Sequence, residues 1–226
     1  MNLHPRIQPS ASSTQQVYDW LHGRILRGEL PPGTQLSETE IATAAGVSRQ
    51  PVREAFIRLA VTGLAEVRPQ RGTFIGRISR AAVYSAQLIR EAVETDLLRM
   101  VVGDTPAGLI AALETQIAEQ RGAAAAKDGE TFMDMDDRFH RHLAEAAGHG
   151  AVWSELEGLK SQMNRLRYIT VREFDLHRTI DQHEQIVDAL RLGDGAAAEA
   201  AMRKHLRQIR HDLPAILDSH PDYFTD

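Results

Sequence analysis

Apolar residues recur at helical spacing from residue 14 onward, and changes in that rhythm divide the chain. Val17, Tyr18, Leu21, Ile25 and Leu26 put one stripe on a helix over 14–27. Gly28-Glu-Leu-Pro-Pro32-Gly33 ends it. Ser37 is a preferred N-cap, and Glu40 three positions on completes a capping box at the start of a short second helix. Gly46 turns the chain and Ser48 offers another N-cap. Pro51 then falls in the first turn of a helix over 49–62, where a missing N–H removes no helical bond. Gly63 stops that helix. The rhythm then shifts: Leu64–Arg68 and Thr73–Arg77 read as short strands joined by Pro69-Gln-Arg-Gly72, a hairpin with a basic tip. After Ser79 no strand pattern appears. Helices are expected at about 80–102, 107–127, 129–147, 151–173, 176–192 and 195–218, with glycine-containing breaks at 103–106, 127–129, 148–150 and 193–195.

The expected fold class is mainly α: an N-terminal winged helix-turn-helix followed by an all-α bundle of about six helices. The expected domains are a polar arm at 1–13, the winged helix at 14–78, and a helical effector-binding, metal-binding and dimerisation domain at 79–226. Charge sharpens this division. The whole chain carries −5, which argues against a nucleic-acid partner until its distribution is read. Residues 1–78 hold nine arginines against six carboxylates, whereas the remainder holds 17 basic and 25 acidic groups. Phosphate neutralisation needs local basic charge rather than a basic total. The absence of cysteine rules out disulfides and thiolate metal sites. No secretory signal or spanning apolar run is visible, so a cytoplasmic protein without a membrane partner is expected.

Arg49 and Arg53 are four apart, so both project from one face at the N-terminal end of the third helix. That end of a recognition helix meets base edges in the major groove. Arginine forks guanine and glutamine can fork adenine, which makes Arg49, Gln50 and Arg53 candidates for base or phosphate contact. Arg71 and Gly72 at the wing tip suit a minor-groove or backbone contact. Ser37, Thr39 and Ser48 could donate to phosphate oxygens, which position without specifying. An isolated charged pair on a helix is usually a solvated face. Here turn, cap, paired arginines and basic wing agree on double-stranded DNA.

A second constellation lies in the acidic part. Asp136 and His140 are four apart and share a helix face. His183 shares a stripe with Ile186, Val187 and Leu190, and His205 shares one with Met202 and Ile209. Any one of ten histidines could fall on such a face by chance. Three histidines and an aspartate on inward faces of three helices, however, are costly to bury unpaired. A divalent metal ion resolves that cost: zinc first, with nickel, manganese or iron also compatible with this donor set. Asp137 competes with Asp136, and the i,i+4 spacing to His140 favours Asp136. Arg138, His142, His149 and His177 fall off the inward stripes or in breaks.

Residues 15–77 resemble the GntR superfamily of bacterial winged-helix regulators. The resemblance is carried by Gly28-Glu-Leu-x-Pro32-Gly33-x-x-Leu36-Ser37-Glu38, Gly46-Val-Ser48-Arg49-x-Pro51-Val52-Arg53-Glu54-Ala55, Gly63-Leu64 and Arg71-Gly72, in matching order and spacing. Two positions depart. Thr39 stands where relatives often carry a DNA-contacting arginine, and Gln50 stands where threonine is common, so no operator preference carries over. Residues 80–218 resemble the metal-binding ligand domain (FCD type) of the fatty-acid-regulator-like, or FadR, branch. There Asp-x-x-x-His, a second His, and a third about 22 residues later form the site, matching Asp136, His140, His183 and His205. Arg90 resembles the family's ligand-side arginine; its plainer reading is an i,i+4 pair with Glu94.

The resemblance implies a regulator, a repressor by family habit, working as a homodimer on a pseudo-palindromic operator and modulated by a small organic-acid effector at the metal. Two-fold protein symmetry matching two half-sites is the physical basis of that pairing. A metal-responsive regulator is the alternative, and a metal-dependent hydrolase a further one. No residue is convincingly placed as a catalytic base, so no enzyme is expected.

Overall fold

Helix α1 (Ser13–Leu26) begins behind Ser12, whose hydroxyl accepts from the Gln15 amide at 3.4 Å. It packs on α3 (Arg49–Val61) through Val17, Leu21 and Ile25, which face Val52, Phe56 and Leu59 in one buried cluster. Between them, α2 (Glu38–Ala45) is capped by Ser37 Oγ, which accepts from Glu40 N at 3.3 Å. Gly46 closes α2 at φ 66°, a conformation costly for any residue with a Cβ. Ser48 occupies the N-cap position of α3 without a side-chain cap bond.

Strands β1 (Gln35–Leu36), β2 (Ala65–Arg68) and β3 (Gly72–Ile75) form an antiparallel sheet in the order β1-β3-β2. The two expected wing strands are present, each a little shorter than the sequence suggested, and β1 joins them as a third. The computed structural model describes residues 11–225; the expected arm falls outside the described residues over 1–10, and its last residue already belongs to α1.

The second unit spans Ala81–Ser219. It contains α4 (Arg80–Val101, whose first residue belongs to the first unit), α5 (Leu109–Ala125), α6 (Gly129–Ala146), α7 (Gly150–Leu159), α8 (Ser161–Glu173), α9 (His177–Leu192) and α10 (Gly195–Ser219). Leu98, Leu113, Phe139, Leu143, Ile186 and Met202 are among its buried core. The expected helix over 151–173 is two helices. They break at Lys160, which keeps right-handed helical angles (φ −78°, ψ −7°) while the hydrogen-bond ladder is interrupted.

One departure is topological. The chain does not finish in the bundle: residues from His220 onward belong with the first unit. There β5 (Phe224–Thr225) pairs parallel to β4 (Ile78–Ser79), and Ile78 and Phe224 are both buried. The expected second domain, drawn to 226, therefore includes a tail that the structure places elsewhere.

Candidate nucleic-acid interface and metal centre

The helix-turn-helix presents its candidate residues outward. Thr39, Ser48, Arg49, Gln50, Arg53, Arg71 and Gly72 are exposed, and Ser37 is half-buried. Val52, Ala55, Phe56 and Leu59 fill the opposite side of α3 and fix its orientation. The Ser37 hydroxyl serves as a helix cap. Gln50 donates to Glu54 Oε1 at 2.9 Å. Arg49 Nη2 donates to Glu38 Oε2 at 2.9 Å, and Arg53 Nε lies 3.6 Å from Glu38 Oε1. At the wing, the Arg71 amide donates to Arg68 O at 3.0 Å. The carbonyl of Arg71 accepts from Gln35 Nε2 at 3.3 Å, so β1 steadies the tip. Gly72, at φ 103°, allows the return turn.

In the bundle, Asp136 and His140 from α6, His183 from α9 and His205 from α10 converge. One donor atom from each lies within 4.8 Å of all the others. His140 Nε2 and His205 Nε2 are 3.0 Å apart; His183 Nε2 and Asp136 Oδ1 are 3.5 Å apart. The far ring nitrogens are held from behind. Gln120 Oε1 accepts from His183 Nδ1 at 2.8 Å, and Gln182 Oε1 accepts from His205 Nδ1 at 3.1 Å. Gln182 Nε2 in turn donates to Gln208 Oε1 at 3.3 Å, which fixes the amide with its oxygen towards the imidazole. His140 Nδ1 lies 2.7 Å from Glu94 Oε2, a charge contact rather than an aligned hydrogen bond.

These partners decide what faces the centre. An amide oxygen can only accept, so His183 and His205 carry their proton on Nδ1 and turn a lone pair inward on Nε2. His183 Nε2 has no hydrogen-bond partner although it is fully buried. Burial, reinforced by nearby cationic groups, pushes His183 down to about 3 despite Asp136, and pushes His205 well below its ordinary range. Burial acts in the opposite sense on Asp136, but Arg167, His140 and His183 outweigh it and keep the carboxyl below its usual range. Neutral imidazoles beside an ionised carboxylate are the protonation states a divalent cation requires. The residues present fit such an ion, and the buried lone pair of His183 is otherwise unmatched.

Around this centre lies a layer of charge, of which the sequence did not single out Arg167 and Lys160. Arg167 donates to both Asp136 and Asp137, the second at 2.9 Å. Asp137, the competitor for the ligand position, thus pairs with Arg167 and with Lys160 Nζ at 3.2 Å. Lys160 is fully buried, its ammonium 3.9 Å from the centroid of the Trp153 ring, and burial lowers it to about 8 against the pull of Asp137. Arg90 does form the plain pair: its Nε donates to Glu94 Oε1 at 2.5 Å. It also lines a cavity of about 80 Å³ together with Asp136, Arg167, Thr170, Gln182 and His205. The two readings of Arg90 are therefore compatible. Gln120 and Gln182 lacked any sequence signal except their place on inward helix faces, and Glu94 was visible only as the i,i+4 partner of Arg90.

Comparison with known proteins agrees with this architecture. Residues 13–75 match the gntR family of bacterial regulatory proteins, and residues 86–208 match the FCD domain. The chain is 35% identical over 227 residues to the HTH-type transcriptional repressor RspR of Escherichia coli, covering 100% of both chains. A GntR regulator from Rhodococcus sp. RHA1 superposes with a TM-score of 0.75 at 24% identity, covering 91% of this chain and 99% of its own. Escherichia coli McbR/YncC gives 0.73 at 21% identity, covering 93% and 99%. Both structures share the fold. With a family match over each of its two units and a full-length relative, the chain belongs to the gntR family, with an FCD domain as its second unit, and is a DNA-binding transcriptional regulator.

Proposed function

We propose that the protein is a homodimeric, cytoplasmic repressor whose grip on a pseudo-palindromic operator is set by what occupies the Asp136/His140/His183/His205 centre. Arg49, Gln50 and Arg53 would meet bases or phosphates in the major groove. Arg71 and Gly72 would contact the backbone or minor groove, with Ser37, Thr39 and Ser48 near phosphates. The resident ion would be divalent, zinc first, with nickel, manganese or iron as alternatives. The observation that carries the metal reading is the buried, partnerless lone pair of His183 aimed at three other donor groups. A four-donor set leaves coordination positions open, and the cavity beside it holds Arg90 and Arg167. That combination suits a small organic acid bound partly to the ion. Coupling of about 1–3 kcal/mol between such a site and DNA affinity is the usual scale.

The small cavity also favours a second reading, in which the ion itself is the signal. One experiment addresses both. Selection from a random duplex library at fixed salt, on zinc-loaded and chelator-treated protein, should enrich a short inverted repeat. If chelation alone changes operator affinity, the metal-responsive form is supported; if only an added carboxylate changes it, the effector form is. His183→Ala combined with His205→Ala should abolish stoichiometric zinc while the first unit stays folded. Unchanged metal content in that variant would remove the centre.

A further inference from the structure

A carboxylate stands in the middle of the face assigned to DNA. Glu38, the first residue of α2, is a quarter exposed and touches both arginines of the recognition helix. Those arginines have side chains about two-thirds exposed, 66% for Arg49 and 67% for Arg53. An acidic group beside phosphate-binding cations weakens attraction to every DNA sequence alike. In the first turn of α2 a carboxylate also favours the helix dipole, and its contact with both arginines adds a second role.

We propose that Glu38 is a positioning residue for sequence discrimination: it holds the guanidinium groups of Arg49 and Arg53 in the orientation from which they read DNA. This rests on the assignment of those two arginines to DNA contact. The two Glu38 oxygens divide the work, Oε2 accepting from Arg49 Nη2 and Oε1 facing Arg53 Nε. A guanidinium has five N–H donors in a rigid fork, so engaging one edge leaves another for a second acceptor. In Arg53 the atom nearest Glu38 is Nε, at an ion-pair distance of 3.6 Å rather than a hydrogen bond, an orientation that turns the Nη1–Nη2 end towards the paired O6 and N7 acceptors of a guanine. In Arg49 a terminal Nη2 is already committed, which suits a single contact to a phosphate oxygen. Arg53 thus becomes the base reader and Arg49 the phosphate anchor. Glu38 also cuts the local charge of the three groups from +2 to +1, lowering background affinity for unrelated DNA.

The test compares wild type, Glu38→Gln and Glu40→Gln by library selection and by binding to the selected duplex and a scrambled one, over a salt series. Glu38→Gln should bind scrambled duplex about two- to fivefold more tightly, with a salt slope steeper by about one released ion. Its ratio of selected to scrambled affinity should fall about tenfold, the scale of one lost bidentate contact. Glu40→Gln removes a charge from the same helical turn and should leave the ratio unchanged. In an Arg53→Ala background, Glu38→Gln should lower the ratio little further. An unaltered ratio in Glu38→Gln overturns the proposal, and so does an equal loss of affinity for both duplexes, which marks a helix-stabilising role only. If wild type itself enriches no motif, DNA reading by Arg49 and Arg53 fails, and the positioning role falls with it.

Discussion

Arg167 shows how the proposed metal centre and the fold depend on each other at the scale of single residues. It is mostly buried and holds two carboxylates, Asp136 and Asp137, so its removal leaves negative charge stranded in the bundle. Breaking a buried pair in this way costs about 3–5 kcal/mol. Arg167→Met should therefore be strongly destabilised when denatured in chelator. Saturating zinc would meet the charge of Asp136 from the other side, so the deficit relative to wild type should shrink. Equal deficits with and without zinc would remove Asp136 from the ligand set. The four-residue cluster was legible in the sequence because a carboxylate and three imidazoles on inward helix faces have few inexpensive solutions. Its backing was not. Gln120, Gln182 and Glu94 are ordinary polar residues on helices, and only the folded arrangement brings their oxygens to the rear of the rings.

Helix positions were the most legible feature at the scale of elements, because capping residues and glycines punctuate them. The interruption at Lys160 was not, since a lone Gly158 two residues earlier is a weak signal and the apolar period runs through. Strand β1, two residues long, is too short for any alternation to show. Contacts between helices were equally hidden. Glu91 on α4 accepts from Arg207 Nε at 2.9 Å and from Arg203 Nη1 at 2.7 Å, both on α10, and from Gln87 at 2.8 Å. The hydrogen bond from Arg207 does most to hold Glu91 down to about 2; burial opposes it, and Arg203 and Gln87 assist. A carboxyl whose folded pKa is depressed stabilises the protein fully above its unfolded value near 4.5 and loses that contribution as pH falls towards 2. The arginines are partly exposed, so screening reduces the contribution to about 1 kcal/mol. Glu91→Gln should melt below wild type at pH 6–7, with the gap closing as pH is lowered from 4.5 to 3. A gap independent of pH would mean that packing, not charge, joins the two helices. In the first unit, Gly46→Ala should cost about 1 kcal/mol in thermal unfolding, since the residue sits at φ 66°. An unchanged melting temperature would mean that the turn relaxes away from that angle.

At the scale of the whole molecule, the chain passes between its two units twice, once near Arg80 and once near His220. The pairing of β4 with β5 joins residues some 146 positions apart, Ile78 with Phe224 and Ser79 with Thr225. No periodicity could reveal it: each strand has two residues, and the tail reads as a polar end after a long helix. Its energetic weight lies in Phe224, 6% exposed against Ile78 at 1%. Truncating a buried phenylalanine costs about 3–5 kcal/mol in a full core, and a residue on a two-residue strand should fall somewhat below that range, near 2 kcal/mol. That loss belongs to the first unit, although the residue is encoded at the far end of the chain. The two tryptophans make the assignment measurable, because Trp20 lies in the first unit and Trp153 in the second. In Phe224→Ala, unfolding followed by Trp20 fluorescence in a Trp153→Phe background should shift to lower denaturant. Zinc stoichiometry, which the proposed centre assigns to the bundle, should be unchanged. If the Trp20 transition does not move, the tail contributes nothing to the DNA-binding unit, and the second passage of the chain is a loose end rather than a structural tie.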